Sequence, residues 1–203
     1  MLYFFYELEA MSWGFDPKDK GSARVYYYPG DVSGLNRTEL PSELPNEYHI
    51  PEMAISFSSV TETPGFEELT ELLDGLDKLK HQARMNLLNE YDAARGADSV
   101  EKKTDGRINK LLGYADLVQG DMLLEGELTA GGINTGDPDG YANISAEQKE
   151  NSKNWRLLFQ LDSICTDEYE LLWGDMGRIY FYIKDEDLRN LNFEDCWLVL
   201  QCG

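Results

Sequence analysis

The apolar positions fall into short runs separated by turn-forming residues, and the densest runs lie at the two ends of the chain. Near the C-terminus, Trp155–Leu161, Arg178–Ile183 and Cys196–Cys202 are aromatic and β-branched stretches of strand length, bounded by Asp, Gly, Asn or Lys. Near the N-terminus, Leu2–Tyr6 (LYFFY) is apolar on both faces and predicts an interior strand. Arg24–Tyr28 (RVYYY) predicts a second strand, antiparallel to the first and ended by Pro29-Gly30-Asp31. Residues 31–51 carry three prolines and few periodic apolars, and read as loop. Met53–Val60 (MAISFSSV) sets Met53, Ile55 and Phe57 against Ala54, Ser56 and Ser58, the alternation of a half-buried strand.

The middle of the chain changes period. From Thr63 onward, Phe66, Leu69, Leu73, Leu76, Leu79, Ala83, Leu87, Tyr91 and Ala94 recur at intervals of three and four, which predicts one long amphipathic helix. Thr63 reads as its cap, Pro64 as its first residue and Gly96 as its end. Gly75 is its weak point, and a break at Asp74-Gly75 into two helices is the alternative. Residues 97–107 read as a polar surface loop. Ile108–Gln119 reads as a short irregular or helical element interrupted by Gly113. Gly120–Ser152 reads as a long loop with one helical turn near Ala146–Asn151. These elements predict an α+β fold: a mostly antiparallel β core in a single domain, with the helical insert of residues 63–96 packed on it.

The two ends align with each other. Leu2-Tyr3-Phe4-Phe5-Tyr6 matches Ile179-Tyr180-Phe181-Tyr182-Ile183, and Gly14-Phe15-Asp16 matches Asn192-Phe193-Glu194. Arg24-Val25-Tyr26-Tyr27 matches Trp197-Leu198-Val199-Leu200. The pattern predicts a duplicated strand–connector–strand unit, in about residues 1–30 and 155–203. The second copy has a further strand, WRLLFQLDS, before its hairpin, and nothing matches it before Leu2. The expectation is a vacant strand position beside Leu2–Tyr6. Either the chain is truncated, or a partner chain or a later segment fills the position.

Charge narrows the function classes. Among 203 residues, 38 are acidic and 18 basic, a net charge of -20. Phosphate affinity comes mainly from Lys and Arg, so nucleic acid and anionic membrane surfaces are excluded as partners. A cationic protein or a divalent cation is compatible. Cys165, Cys196 and Cys202 form no framework of spacings and read as reduced thiols of a cytoplasmic protein. No apolar stretch reaches the length of a membrane-spanning helix.

The motifs LLGYADLVQGDM (Leu111–Met122), WRLLFQLDS (Trp155–Ser163), WGDMGRIYFYI (Trp173–Ile183) and FEDCWLVLQC (Phe193–Cys202), with LYFFY and WGFDPKDKGSARVYYY, resemble the YwqG-like family of bacterial domains of unknown function. The family's N-terminal portion, a Gly/Pro-rich entry followed by a strand ending in a Gln-Ile-Asn-like sequence, is absent, in agreement with the vacant strand position. The resemblance implies a cytosolic α+β protein with a duplicated β core. It implies no activity. Encoding of some members near secreted-toxin systems adds an immunity-type expectation.

Chemistry-bearing residues are sparse. His81 lies within the helix pattern and His49 in the Pro-rich loop, and both read as structural. No nucleophile elbow and no phosphate-cradling loop is present. Asp137-Pro-Asp139-Gly140 resembles the middle of a calcium loop, but Thr135 and Ala146 stand where an EF-hand needs carboxylates. A looser oxygen-ligand site at Asp137 and Asp139 remains a metal candidate. Asp162 ends one predicted strand and Asp175 precedes the next, so together they are the catalytic and metal candidates, with Asp167 and Glu168 nearby. Gln160 and Gln201 interrupt apolar strands and, if buried, need hydrogen-bond partners. Tyr26-Tyr27-Tyr28 offers an aromatic binding surface. The leading expectation is a non-catalytic binding protein, immunity-type against a cationic toxin, requiring no cofactor. The alternative is a carboxylate- or divalent-metal-dependent enzyme using Asp162 and Asp175. A third reading is an oligomer formed through the N-terminal strand.

Overall fold

A computed structural model describes residues 1–76, 78–95 and 109–203. The chain opens with an antiparallel hairpin of β1 (Leu2–Tyr6) and β2 (Ala23–Tyr27). Two helices follow, α1 (Phe66–Leu72) and α2 (His81–Arg95), and then the two-residue strand β3 (Lys110–Leu111). Helices α3 (Leu123–Ala130) and α4 (Ala146–Ser152) precede the long strand β4 (Trp155–Asp162). A small hairpin, β5 (Ile164–Cys165) with β6 (Glu170–Leu171), leads to β7 (Arg178–Lys184). Helix α5 (Asp185–Arg189) connects it to β8 (Trp197–Gln201). The fold is α+β with antiparallel sheets.

The principal sheet has the order β3-β4-β7-β8. Every residue of β7 from Ile179 to Ile183 is buried, because both faces of this sheet are covered. On one face lie Leu158, Ile179, Phe181, Ile183, Leu198 and Leu200, against which the N-terminal hairpin packs Leu2, Phe4 and Tyr6. The Phe4 ring sits 4.5 Å from Phe159 and 5.2 Å from Phe181. On the other face lie Trp155, Leu157, Tyr180, Tyr182, Trp197 and Val199, covered by Ala115, Met122 and Leu123. A bulge after Leu157 shifts the β4–β7 register. It lets Leu158 and Phe159, adjacent in sequence, both face the hairpin layer.

The connector of the hairpin seals the outer edge of β8. Leu200 N–H donates to the Trp13 carbonyl at 2.9 Å, and Trp197 Nε1 donates to the Gly14 carbonyl at 2.8 Å. Gly14 is at φ +88°, and a Cβ there would overlap the Leu198 carbonyl, so this close approach needs glycine.

Several expectations change. The helical stripe is two helices, divided around Gly75 at φ +90°. The first starts after Gly65 rather than at Thr63, because Pro64 turns its carbonyl to the Tyr91 hydroxyl instead of into the helix. Helix α2 buries no residue, and the second half of the stripe lies against α1 and the segment before it, through Phe66–Tyr91, Arg84–Glu67, Tyr91–Pro64 and Arg95–Thr63. The Gly96 cap and the 97–107 loop lie outside the described residues.

Gly120–Ser152 is not one loop. Helix α4 forms where expected, started by a reciprocal cap between Ser145 and Gln148. Helix α3 is the missed element: its glycine, Gly126, lies on the buried face, where Trp155 packs over it. Met53–Val60 joins no sheet and leaves Ile55 and Phe57 79% or nearly so exposed, at 77% and 79%. Among the described residues Leu2–Tyr6 is an edge strand paired only with β2, not an interior one.

Candidate functional site

The two interior glutamines explain how the irregular segment after β3 is held across the sheet. Gln160 Oε1 accepts from Asp116 N–H at 2.9 Å, and its amide donates to Asp116 Oδ2. Gln201 Oε1 accepts from both Val118 and Gln119 N–H, and its Nε2 donates to the Gly120 carbonyl at 2.8 Å. Residues 116–120 thus receive, from side chains of the sheet, the hydrogen bonds a further strand would have supplied. The Asp116 carbonyl also accepts from Tyr180 Oη and Arg178 Nη1. Lys110 adds a nearly buried charge cluster, pairing with Glu62 at 3.0 Å and with Asp116 while donating to the Tyr114 carbonyl.

Where this segment meets α1 and the start of α3, three carboxyls gather, Glu68 buried and Asp121 and Glu125 half-buried. Glu68 is only 4% exposed. Its Oε2 has no hydrogen-bond partner. Burial, reinforced by the neighbouring Asp121, pushes its carboxyl up to about 8. Asp121 accepts from Leu123 N–H at 2.9 Å at the start of α3, while its Oδ1 is unpartnered. Burial and then Glu71 raise it to about 7, against the backbone donors. Burial alone takes Glu125 to about 7. Beneath them Tyr182 is fully enclosed, and its hydroxyl is held far from ionising by burial and by these acids. The sequence carried a faint sign of this cluster: Glu68 belongs to an amphipathic pattern and sits two residues from Phe66. Helix α1 buries Glu68 together with Phe66 and Thr70.

The residues singled out from the sequence are dispersed. Asp162 pairs across the ladder with Arg178, Oδ2 to Nε at 3.2 Å, and its Oδ1 accepts from Ser163 N–H. The Nε–H is not aimed at the oxygen, so this contact is an ion pair rather than a hydrogen bond. Asp175 lies exposed in the turn before β7, with its carbonyl accepting from Gly203 N–H. Asp137 caps a single 3-10 turn through Asp139 N–H, and both side chains face solvent. Among the described residues no group of three His, Cys, Asp or Glu side chains is arranged to hold a metal ion. His49 and His81 are exposed, the former with its ring against the Leu44 carbonyl.

The N-terminal hairpin presents a different kind of surface. Its inner face, half-buried around Val25, packs on the principal sheet, and its outer face carries Tyr3, Phe5, Arg24 and Tyr26. Phe5 is 56% exposed and Tyr26 52%, their rings 5.6 Å apart edge to face. The C-terminal residues aligned with these four are Tyr180, Tyr182, Trp197 and Val199, all buried. The registers coincide as well. Leu2↔Tyr27, Tyr3↔Tyr26, Phe4↔Val25 and Phe5↔Arg24 stand in the same relation as Ile179↔Leu200, Tyr180↔Val199, Phe181↔Leu198 and Tyr182↔Trp197. The family model described as Domain of unknown function (DUF1963) matches residues 1–202. The chain belongs to the DUF1963 family. No curated protein matches it. The match embraces both hairpins of this DUF1963 chain, including the segment between them that carries the buried acids. No described helix is long and apolar enough to cross a membrane.

Proposed function

We propose that this chain is a non-catalytic interaction module of the YwqG-like kind, built on a duplicated hairpin, that binds a cationic protein partner in the cytoplasm. The observation that carries the reading is the outer face of the N-terminal hairpin. Of four positions that are buried in one hairpin, three are exposed and one half-buried in the other, and two of the exposed ones are large aromatics in ring contact. Monomeric proteins rarely leave such side chains grouped without a use, and aromatics with an arginine are the residue types that dominate binding interfaces. The net charge of -20 favours a basic partner and speeds encounter with it. An immunity-type role, masking the basic surface of a toxin, is the specific form of this reading. The alternative enzyme built on Asp162 and Asp175 gains no support from their surroundings, since the first is committed to Arg178 and the second stands in an open turn.

The test is titration of the chain with a candidate basic toxin domain at about 50 and about 300 mM salt, over which surface charge is increasingly screened. Affinity is expected to fall with salt, and Phe5→Ala with Tyr26→Ala to weaken binding roughly tenfold or more without altering the circular dichroism spectrum. Salt-independent affinity, or binding indifferent to the aromatic pair, refutes the reading.

A further inference from the structure

Two features of the chain are each half of an unmade strand pair. The first is the outer edge of β1. Tyr28 N–H donates to the Met1 carbonyl and Glu7 N–H to the Ser22 carbonyl, which fixes the phase of the ladder. Odd-numbered residues of β1 therefore turn their backbone groups toward β2. Leu2, Phe4 and Tyr6 turn theirs to the other side, where no strand of the described residues pairs. Strand β7, whose residues align with β1, has that same side occupied by β4. There the neighbour is antiparallel and places Phe159 and Leu161 beside Phe181 and Ile179. The edge of β1 thus calls for an antiparallel strand with large apolar residues at alternate positions.

The second feature is Met53–Val60. Its sequence alternates Met53, Ile55 and Phe57 with Ala54, Ser56 and Ser58, the pattern of a strand with one apolar face. Ile55 and Phe57 are the most exposed large hydrophobic residues of the described chain, and the segment belongs to no sheet. One copy carries both halves and joins neither. We propose that two copies of the chain exchange them, Met53–Val60 of each adding as an antiparallel strand to the β1 edge of the other. The exchange is reciprocal, so it closes as a two-fold dimer and leaves neither β1 edge open. It buries Ile55 and Phe57 beside Leu2, Phe4 and Tyr6, while the outer face with Phe5 and Tyr26 stays free for a different partner.

Light scattering coupled to size-exclusion chromatography tests this on the full chain over a concentration series. The expected mass is twice that of the 23.2 kDa chain. Ile55→Asp with Phe57→Asp should return the monomer, a roughly tenfold or greater rise in the dimer dissociation constant, and leave circular dichroism unchanged because both side chains are exposed in the single copy. Leu2→Pro should do the same from the other side. It removes an N–H that only the incoming strand uses, a loss that an edge strand tolerates. Two copies of a chain with net charge -20 repel, so the dimer should strengthen as salt rises. That slope is opposite to the one expected for a basic partner, which keeps the two readings separable. A monomer at every concentration overturns the inference, and so does a dimer that ignores the Ile55 and Phe57 substitutions.

Discussion

Replacing Glu68 by Gln should stabilise the protein, and should do so only above mildly acidic pH. The carboxyl is buried between α1 and the start of α3, and its Oε2 is unpartnered. Burial raises it from 4.5 to about 8, so the folded chain retains a proton that the unfolded chain releases above 4.5. Between those limits the folded state binds more protons, and stability falls as pH rises. The slope is about 1.4 kcal/mol per pH unit for one such group. From 4.5 to pH 7 is 2.5 units, or about 3 kcal/mol by that slope. The full effect is reached near pH 8 and absent below 4.5. Asp121 and Glu125 titrate in overlapping windows and act in the same direction. Repulsion within a chain of net charge -20 adds a further decline, so the wild-type slope alone does not isolate Glu68. The difference between Glu68→Gln and wild type does. Urea denaturation at pH 5, 6, 7 and 8 should give nearly equal stabilities at pH 5 and a gap that widens to about 3 kcal/mol in favour of the variant by pH 7. Parallel pH dependences, or a variant less stable than wild type at pH 8, would show that the carboxyl ionises freely and that its burial has been misread.

Two further substitutions probe the scaffold. Gln201→Leu removes an amide that accepts from Val118 and Gln119 and donates to the Gly120 carbonyl; stranding those groups should cost about 3 kcal/mol or more in urea denaturation, and a near-wild-type midpoint would count against the clamp. Gly14→Ala forces a side chain onto the Leu198 carbonyl at a left-handed backbone position, so the connector should lift from β8 at a cost of at least ~3 kcal/mol, seen as faster amide exchange at Leu200; unchanged protection there would contradict the sealed edge.

The strands were legible in the sequence wherever burial follows from local pattern. Trp155–Leu161, Arg178–Ile183 and Cys196–Cys202 appear as ladders within a residue or two of the expected limits, because a strand covered on both faces must be apolar throughout. The same logic marked Leu2–Tyr6 as interior. It failed there because one apolar face meets the sheet while the other, with Phe5, meets solvent, and apolar composition cannot say which surfaces a chain covers. The requirement that Gln160 and Gln201 be hydrogen-bonded was local too, but the identity of their partners was not. Those partners lie 44 to 83 residues away in sequence.

The acids show the limit most plainly. The sequence offered Asp162 and Asp175 because they flank strands, and the fold separates their roles by giving the first an arginine and leaving the second in a turn. Nothing in residue type or spacing sets Glu68, Asp121 and Glu125 apart from the other charges of the helical and loop segments. Sequence by itself determined the strand-forming runs, the negative charge and the mid-chain change to a helical period, since these depend on residue type and spacing. Tertiary structure alone decided which carboxyls lost their water, because desolvation comes from what packs around a group, and here that cover arrives from α1, residues 114–122 and α3 together.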